Sequence, residues 1–339
     1  MVTRSDVALA AGTSTAVVSY VVNGGPRPVA VTTRARVLRA IDELGYEPNG
    51  VARALRSAQT KTLGLVLPDH LNAFFGELSQ AVEEAAFKQE RVVLLGNARE
   101  RSARASIYIK TFLEQRVEGL ILVNAAGSPG LELPEGFQLR LKRLSGQVVI
   151  VDRKAPNLDI DVPIILVDNE EGGYQATRHL VEHGYDRIGC LAGQSRISPA
   201  EDRTAGWKRA LREAGLKMDP SLVRRSRFVR SDGYSSTVDF LRANRPPRAL
   251  FVESDEQAIG ALRAAAELGA RVPDDLAIVS FDGVQMSGYT TPRLTTVAQP
   301  IAELGRLAVE RALERPPHGR PTTERLPVKL VIRESCGCG

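Results

Sequence analysis

Residues 6–23, DVALAAGTSTAVVSYVVN, read as two short helices around a tight turn. Thr3 is placed to cap the first helix, and Val7, Ala8 and Ala11 give it one apolar face at helical spacing. Gly12 stops it, because a residue without Cβ takes the left-handed conformation of a sharp turn at little steric cost. Ser14 is placed to cap the second helix through its hydroxyl. Val17, Val18, Val21 and Val22 mark the buried side of that helix and leave Thr15, Ala16, Ser19 and Tyr20 on the other. A small, polar, uncharged outer face is odd for a solvated helix and suits one that enters a DNA major groove. The same residues also fit a plain helical hairpin, and this stretch alone leaves both readings open.

Residues 29–45, VAVTTRARVLRAIDELG, read as a third helix with Val37, Leu38, Ile41 and Leu44 on one face, Arg34, Arg36 and Arg39 nearby and Gly45 at its end. Residues 46–56, YEPNGVARALR, follow. Pro48 can open a helix here, but so short a helix is marginal alone and Gly50 weakens it by about 1 kcal/mol relative to alanine. It is therefore expected to become helical only on DNA. Taken together, DVA–AG–S–VS–VVN, TR–RV–I–LGY and PN–VARAL resemble, in order and spacing, the lactose-repressor/galactose-repressor family of bacterial transcription factors. The resemblance runs to the C-terminus. It implies DNA contacts from Thr3, Ser14, Thr15, Ala16, Ser19, Tyr20, Asn23 and Thr33, and from Asn49, Ala52, Arg53 and Leu55 of a minor-groove hinge. Leu55 would wedge a base step, as apolar residues of minor-groove binders do. Tyr20 stands where the family usually carries an arginine that reads guanine.

Composition agrees with a DNA-binding end. The chain has 339 residues, 43% of them hydrophobic and 5% aromatic, and a net charge of +5. Residues 1–60 hold seven arginines against four carboxylates, so more than half of that charge sits in under a fifth of the chain. No secretory signal pattern and no apolar run of membrane-spanning length is visible, and a cytoplasmic protein with no membrane partner is expected. Cys190 lies in an apolar strand pattern. Cys336 and Cys338, one residue apart with no histidine near in sequence, read as a poor zinc site. His179 and His183 share a helix face, but no third ligand is evident, so no metal site is expected.

From Lys61 onward apolar strand runs alternate with helices: 63–68, 92–97, 119–123, 148–152, 164–168, 188–193, 249–253 and 276–282, with a further strand expected near 225–229. Unbroken apolar strands of this kind belong to parallel sheets covered on both faces. Their number favours two α/β subdomains. The expected architecture is an all-α helix-turn-helix domain (1–46), a hinge (47–60) and a periplasmic-binding-protein-like core (61–339). Within the core, one lobe is placed at about 61–156 with 285–318, and the other at about 157–284 with 319–339. Residues 128–147, SPGLELPEGFQLRLKRLSGQ, depart from the family and read as a surface excursion.

In open parallel sheets ligands sit beyond the carboxyl ends of strands, so the polar residues there are candidates. Asp69 to Asn72, Asp152 and Arg153, Ser254 and Asp255, and Asp282 follow strands, and Arg203 lies at the start of a helix. Carboxylates with a guanidinium suit a polyhydroxylated ligand. The resemblance adds Phe75 and Phe228 and puts Ser254 where a sugar-binding relative often has asparagine; Gln299 is a further candidate. Helix capping and loop solvation are the alternative for the aspartates. No catalytic set is recognisable, so no enzyme activity is expected, and no cofactor beyond a small-molecule effector, expected to be a sugar or sugar derivative. The chain is expected to be a ligand-controlled regulator, more readily a repressor, that binds a pseudo-palindromic operator as a homodimer. Its rivals are a binding protein of a transport system and a sugar- or nucleoside-handling enzyme.

Overall fold

The computed structural model describes residues 2–23, 27–47, 60–123, 147–153, 162–195, 197–314 and 323–338. It divides into two units, Met1–Thr60 and Lys61–Gly339. The expected hinge contacts and the 128–146 excursion lie outside the described residues.

Three helices form the first unit: α1 (Arg4–Ala10), α2 (Thr15–Asn23) and α3 (Val31–Leu44). Thr3 and Asp6 make a reciprocal capping box, with Thr3 N–H donating to the Asp6 carboxylate at 2.8 Å. Gly12 turns the chain at φ +61°, and Ser14 Oγ accepts from Val17 N–H at 3.3 Å to start α2. Val7, Ala8, Ala11, Val18, Val21, Val37, Ala40 and Tyr46 are the core. Leu38 and Leu44, expected inside, are exposed. The inward stripe of α3 runs through Val37 and Ala40, one position away from Leu38, and Tyr46 is buried just beyond Gly45.

The second unit holds two six-stranded sheets. The first contains β1 (Thr62–Leu67), β2 (Val92–Asn97), β3 (Gly119–Val123), β4 (Val148–Val151) and β5 (Ile164–Val167), ordered 2-1-3-4-5 and extended at the β5 edge by a late strand. Helices α4 (Ala73–Lys88) and α5 (Ser102–Glu114) supply apolar faces to it. The chain then crosses into the second sheet through α6 (Asn169–Glu182), β6 (Ile188–Ala192), α7 (Ser198–Glu213), β7 (Val223–Arg225), α8 (Arg230–Leu241), β8 (Ala249–Val252), α9 (Asp255–Glu267), β9 (Ala277–Asp282) and β10 (Thr295–Ala298). It returns as α10 (Ile301–Leu313) under the first sheet and as β11 (Thr323–Leu326), the late strand beside β5. It ends as β12 (Lys329–Val331), antiparallel to β10.

These pairings correct the expected lobe boundaries. Residues 164–167 and 323–326 belong to the first sheet, where β5 pairs with β4 and β11 pairs with β5 in parallel. Residues 295–298 belong to the second, beside β9. The segments TTVA, TERL and KLV are too short and too polar to announce themselves; they are strands because a neighbouring strand offers them a ladder. The chain thus passes between lobes three times, near 168, 299 and 327.

Strand order also fixes where a ligand can sit. The first sheet reverses direction at β1 and the second at β6, and a crevice opens beyond the carboxyl end of a strand at such a point.

Candidate functional site

Two surfaces answer to the sequence reading. On the first unit, Thr15 and Ala16 are exposed at the first turn of α2, with Tyr20 half-buried one turn later. Among these three there is no charge, so the face offers only short polar and aromatic groups. Four other candidates are already bonded inside the unit. Thr3 and Ser14 serve as caps, and Asn23 Nδ2 donates to Ser19 O at 3.2 Å and to Ser19 Oγ at 3.3 Å. Thr33 is half-buried in the first turn of α3. Asn49, Ala52, Arg53 and Leu55 fall outside the described residues.

The second surface is the cleft between the sheets. The segments after β1 and β6 face each other across a cavity of about 620 Å³, whose lining includes Asp69, Asn72 and Phe75 on one side and Gln194, Ile197 and Phe228 on the other. Asn72 caps α4 by accepting from Phe74 N–H at 3.0 Å, and its Nδ2 donates across to Phe228 O at 3.2 Å. Below lies a small cavity of about 20 Å³ lined by Asn72, Phe75, Asp152, Arg153, Arg203, Phe228 and Asp282. Six residues singled out from sequence are therefore brought together: Asn72, Phe75, Asp152, Arg203, Phe228 and Asp282.

Arg203 organises the floor. It is 3% exposed, its guanidinium lies 3.7 Å over the Phe281 ring, and it donates to Asn169 Oδ1 (2.8 Å), Glu253 O (2.5 Å) and Asp282 Oδ1 (3.3 Å). Asp282 also accepts from Gln299 Nε2 at 2.8 Å. Burial pushes the Asp282 carboxyl upward; Arg203 opposes this, while Asp255 and Asp152 reinforce it. Asp152 is likewise raised by burial against the pull of Arg153 and Arg203. Asp152, just beyond β4, and Asp282, the last residue of β9, both sit at positive φ, +67° and +119°. Side chains rarely accept that backbone, and strain of this kind gathers at functional sites. Chemically, two buried carboxylates and a forked donor beside an aromatic ring can take a ligand that presents adjacent hydroxyls and an apolar face.

Three candidates do not line either cavity. Ser254 caps α9 by accepting from Gln257 N–H at 3.2 Å. Asp255 turns back into the second lobe, where it accepts from Ser280 Oγ (2.5 Å), Thr296 Oγ1 (2.8 Å) and Val284 N–H (2.9 Å). Its donors are supplied within the fold; it neither caps α9, whose N-cap is Ser254, nor faces solvent. Gln299 supports Asp282 from behind, and its Oε1 is buried with no hydrogen-bond partner among the described residues.

Sequence reading assigned no role to three further groups. Arg153 is buried, grips Glu100 with two bonds of 3.1 Å and lies 5.1 Å from the Phe75 ring centre. Its place directly after Asp152 was the available signal. Gly193 passes so close to Phe228 that a Cβ there would sit 2.3 Å from the ring. Glu253 is fully buried, accepts from Gly193 N–H (2.7 Å) and Thr204 Oγ1 (2.6 Å), and is raised to about 7 by burial. A further expectation is corrected here: Cys336 and Cys338 do have histidines beside them, because the C-terminal tail folds onto the end of α6, where His179 and His183 stand.

With this geometry in view, residues 3–49 match the bacterial regulatory proteins of the lacI family, and residues 177–336 match a periplasmic binding protein-like domain. The HTH-type transcriptional repressor PurR of Pasteurella multocida is 35% identical over 338 residues, 99% of this chain and 98% of that one. The chain belongs to the lacI family. Among solved structures, this lacI-family chain is similar to the lac repressor dimer bound to operator and the anti-inducer ONPF, with a TM-score of 0.83, 27% identity and 99% of both chains covered. It is also similar to the transcriptional regulator CelR–cellobiose complex, with a TM-score of 0.71, 28% identity, and 99% of this chain and 100% of that one covered.

Proposed function

We propose that this lacI-family regulator is a repressor that binds a pseudo-palindromic operator as a homodimer and answers to a sugar-like effector held in the interlobe cleft. The observation that carries this reading is the meeting of Asp152, Arg203, Asp282, Phe75 and Phe228 at one cleft, in a chain whose first unit is a helix-turn-helix. The names of its relatives support it: PurR is a transcriptional repressor, the lac repressor structure is a dimer on operator, and CelR holds cellobiose. Ligand need only prefer one arrangement of the lobes to shift the DNA-competent population. We read the chain as a binding protein with no catalytic activity and place it in the cytoplasm, where it reaches DNA; no single helix among the described residues is long and apolar enough to cross a membrane.

On this reading Thr15, Ala16 and Tyr20 contact base edges, and Leu55 wedges the minor groove. Operator selection from a random duplex pool tests the first part. Wild type should enrich a two-fold symmetric consensus, and Tyr20→Ala should change its base preference by about 1–3 kcal/mol at the contacted positions while non-specific binding holds. Leu55→Ala should reduce DNA bending. A thermal-shift screen of monosaccharides, disaccharides and nucleosides, repeated with the selected operator, tests the second, because a ligand of the folded state raises its melting temperature. Failure to enrich any consensus would sink the DNA reading. Turnover of a bound sugar would move the chain to the enzyme class.

A further inference from the structure

Away from the cleft, the C-terminal tail packs against the opposite end of the second sheet. The cleft lies at the Asp282 end of β9, whereas the tail is pinned at the start of that strand. Ser335 Oγ donates to Ile278 O at 2.7 Å, Ile278 N–H donates to Ser335 O at 2.7 Å, and Thr295 N–H donates to Ser335 Oγ at 2.8 Å. This anchoring carries Cys336 and Cys338 onto the last turn of α6 and the residue just beyond it.

There the side chains converge. One donor atom each from His179, Cys336 and Cys338 lies within 4.8 Å of the others. Cys338 Sγ is 3.5 Å from His179 Nε2 and 3.0 Å from His183 Nε2, and the two imidazole centres are 4.6 Å apart. Zinc–sulfur and zinc–nitrogen bonds of about 2.3 and 2.0–2.1 Å at a tetrahedral angle put a sulfur and a nitrogen roughly 3.5 Å apart. The two Cys338–histidine distances are thus close to those of ligands that share one ion. Histidines at i and i+4 share a helix face, which brings both rings to the same point. Cys336 is fully buried and His179 nearly so, while Cys338 and His183 form the exposed side, an arrangement with a built floor and an open entry. Thr295 Oγ1 lies 3.1 Å from Cys336 Sγ, the kind of outer hydrogen bond that orients a metal-bound thiolate.

We infer that His179, His183, Cys336 and Cys338 form a binding site for a thiophilic divalent cation of the zinc class. Two thiolates and two imidazoles suit that class and not magnesium or calcium, which take oxygen ligands. His179, Cys336 and Cys338 supply three mutually close ligands, and His183, 3.0 Å from Cys338 Sγ, is the fourth that would complete a tetrahedron and make the site structural. On binding, the two thiols each lose a proton to solvent, the two thiolates balance the 2+ charge, and neutral imidazoles complete the set. The ion would clip residue 338 to residue 179 and so fasten the tail over the second lobe. Neither histidine nor cysteine contributes to the effector cleft, so the inference stands apart from the proposed function.

The full chain, reduced and stripped with chelator, is titrated with Co²⁺ alone and then with Zn²⁺. One equivalent of cobalt should give a thiolate-to-metal charge-transfer band with the visible bands of tetrahedral cobalt, and zinc should erase both. His183→Ala and Cys338→Ser, both at exposed positions, should melt like wild type without metal and bind cobalt on the order of 100-fold more weakly or worse, since even outer-shell losses cost 10–100-fold. Zinc should raise the melting temperature of wild type and of neither variant. No charge-transfer band in reduced wild type would overturn the site, as would bands of unchanged affinity in His183→Ala, which would leave the histidine out of it. A variant that fails the melting control leaves the other to decide.

Discussion

Asp255 and Asp282 occupy comparable places in the chain: each closely follows an apolar strand of the second sheet, and each is buried. Their surroundings differ in one respect. Asp255 is supplied by two hydroxyls and a backbone N–H of its own lobe. Asp282 shares Arg203 and Gln299 on the floor of an open cavity, at a strained backbone angle, beside a glutamine oxygen that has no partner among the described residues. A buried polar group whose bonds are all made internally specifies the fold; one whose neighbourhood is left partly unpaired is set up for something from outside.

The sharpest way to break this contrast is Asp255→Ala. It strands three donors in a closed interior, and a loss of about 3–5 kcal/mol of stability is expected. Denaturant unfolding measures it. A variant of native stability that no longer binds effector would place Asp255 in the site and dissolve the distinction.

Glu253 tests the same idea by pH. Unfolded, its carboxyl ionises near 4.5; folded, near 7. Above pH 4.5 the unfolded chain gives up this proton first, so Glu253 contributes stability that is whole below about 4.5 and is lost as pH climbs to about 7. The window corresponds to about 3 kcal/mol. Glu253→Gln should flatten that part of the melting-temperature profile; an unchanged slope would mean that the carboxyl is not held neutral by the fold.

Asp282→Asn should act in the opposite sense to Asp255→Ala. Because burial already favours the uncharged carboxyl, the amide should fold with little penalty. Yet the amide keeps only one acceptor oxygen for the ligand, and one lost hydrogen bond is worth about 0.5–1.5 kcal/mol, severalfold to roughly tenfold in affinity. Arg203→Ala should lose the effector response as well, with a stability loss from its stacking on Phe281. Calorimetric titration of the screened effector reads both, and operator binding in its absence should stay close to wild type. An Asp282→Asn protein with wild-type effector affinity would remove Asp282 from the site.

The smallest effect is expected of Gln299→Met. It removes one bond to Asp282 and also an oxygen with no partner among the described residues, so stability should move by about 1 kcal/mol or less. A severalfold loss of effector affinity would show that this oxygen accepts a hydroxyl of the ligand; unchanged affinity would restrict Gln299 to holding Asp282.

Much of the molecule was readable before any coordinates. The turn at Gly12, the caps at Thr3 and Ser14, and the long strands such as GLILV and AIVSFD follow from local rules, because a capping hydroxyl, a left-handed glycine or an apolar run acts within a few residues. Harder were β10, β11 and β12, whose sequences carry little apolar periodicity and which are ordered by the ladders beside them. Leu38 and Leu44 misled because a helical face is wide on paper, whereas the small first unit has room inside for only a narrow stripe.

The sequence by itself determined the order of elements, the helix-turn-helix and the alternation that makes parallel sheets, since propensity, capping and hydrophobic period are properties of neighbouring residues. It also nominated the charged residues of the cleft floor, although it gave Arg153 no role of its own. Only the tertiary structure decided which aspartate faces the cleft and which is spent inside. That depends on donors at 280, 284 and 296 arriving around residue 255. It alone set His179 and His183 against Cys336 and Cys338, more than 150 residues along the chain. Contacts of that separation are made by the packing of whole elements, and no local pattern encodes them.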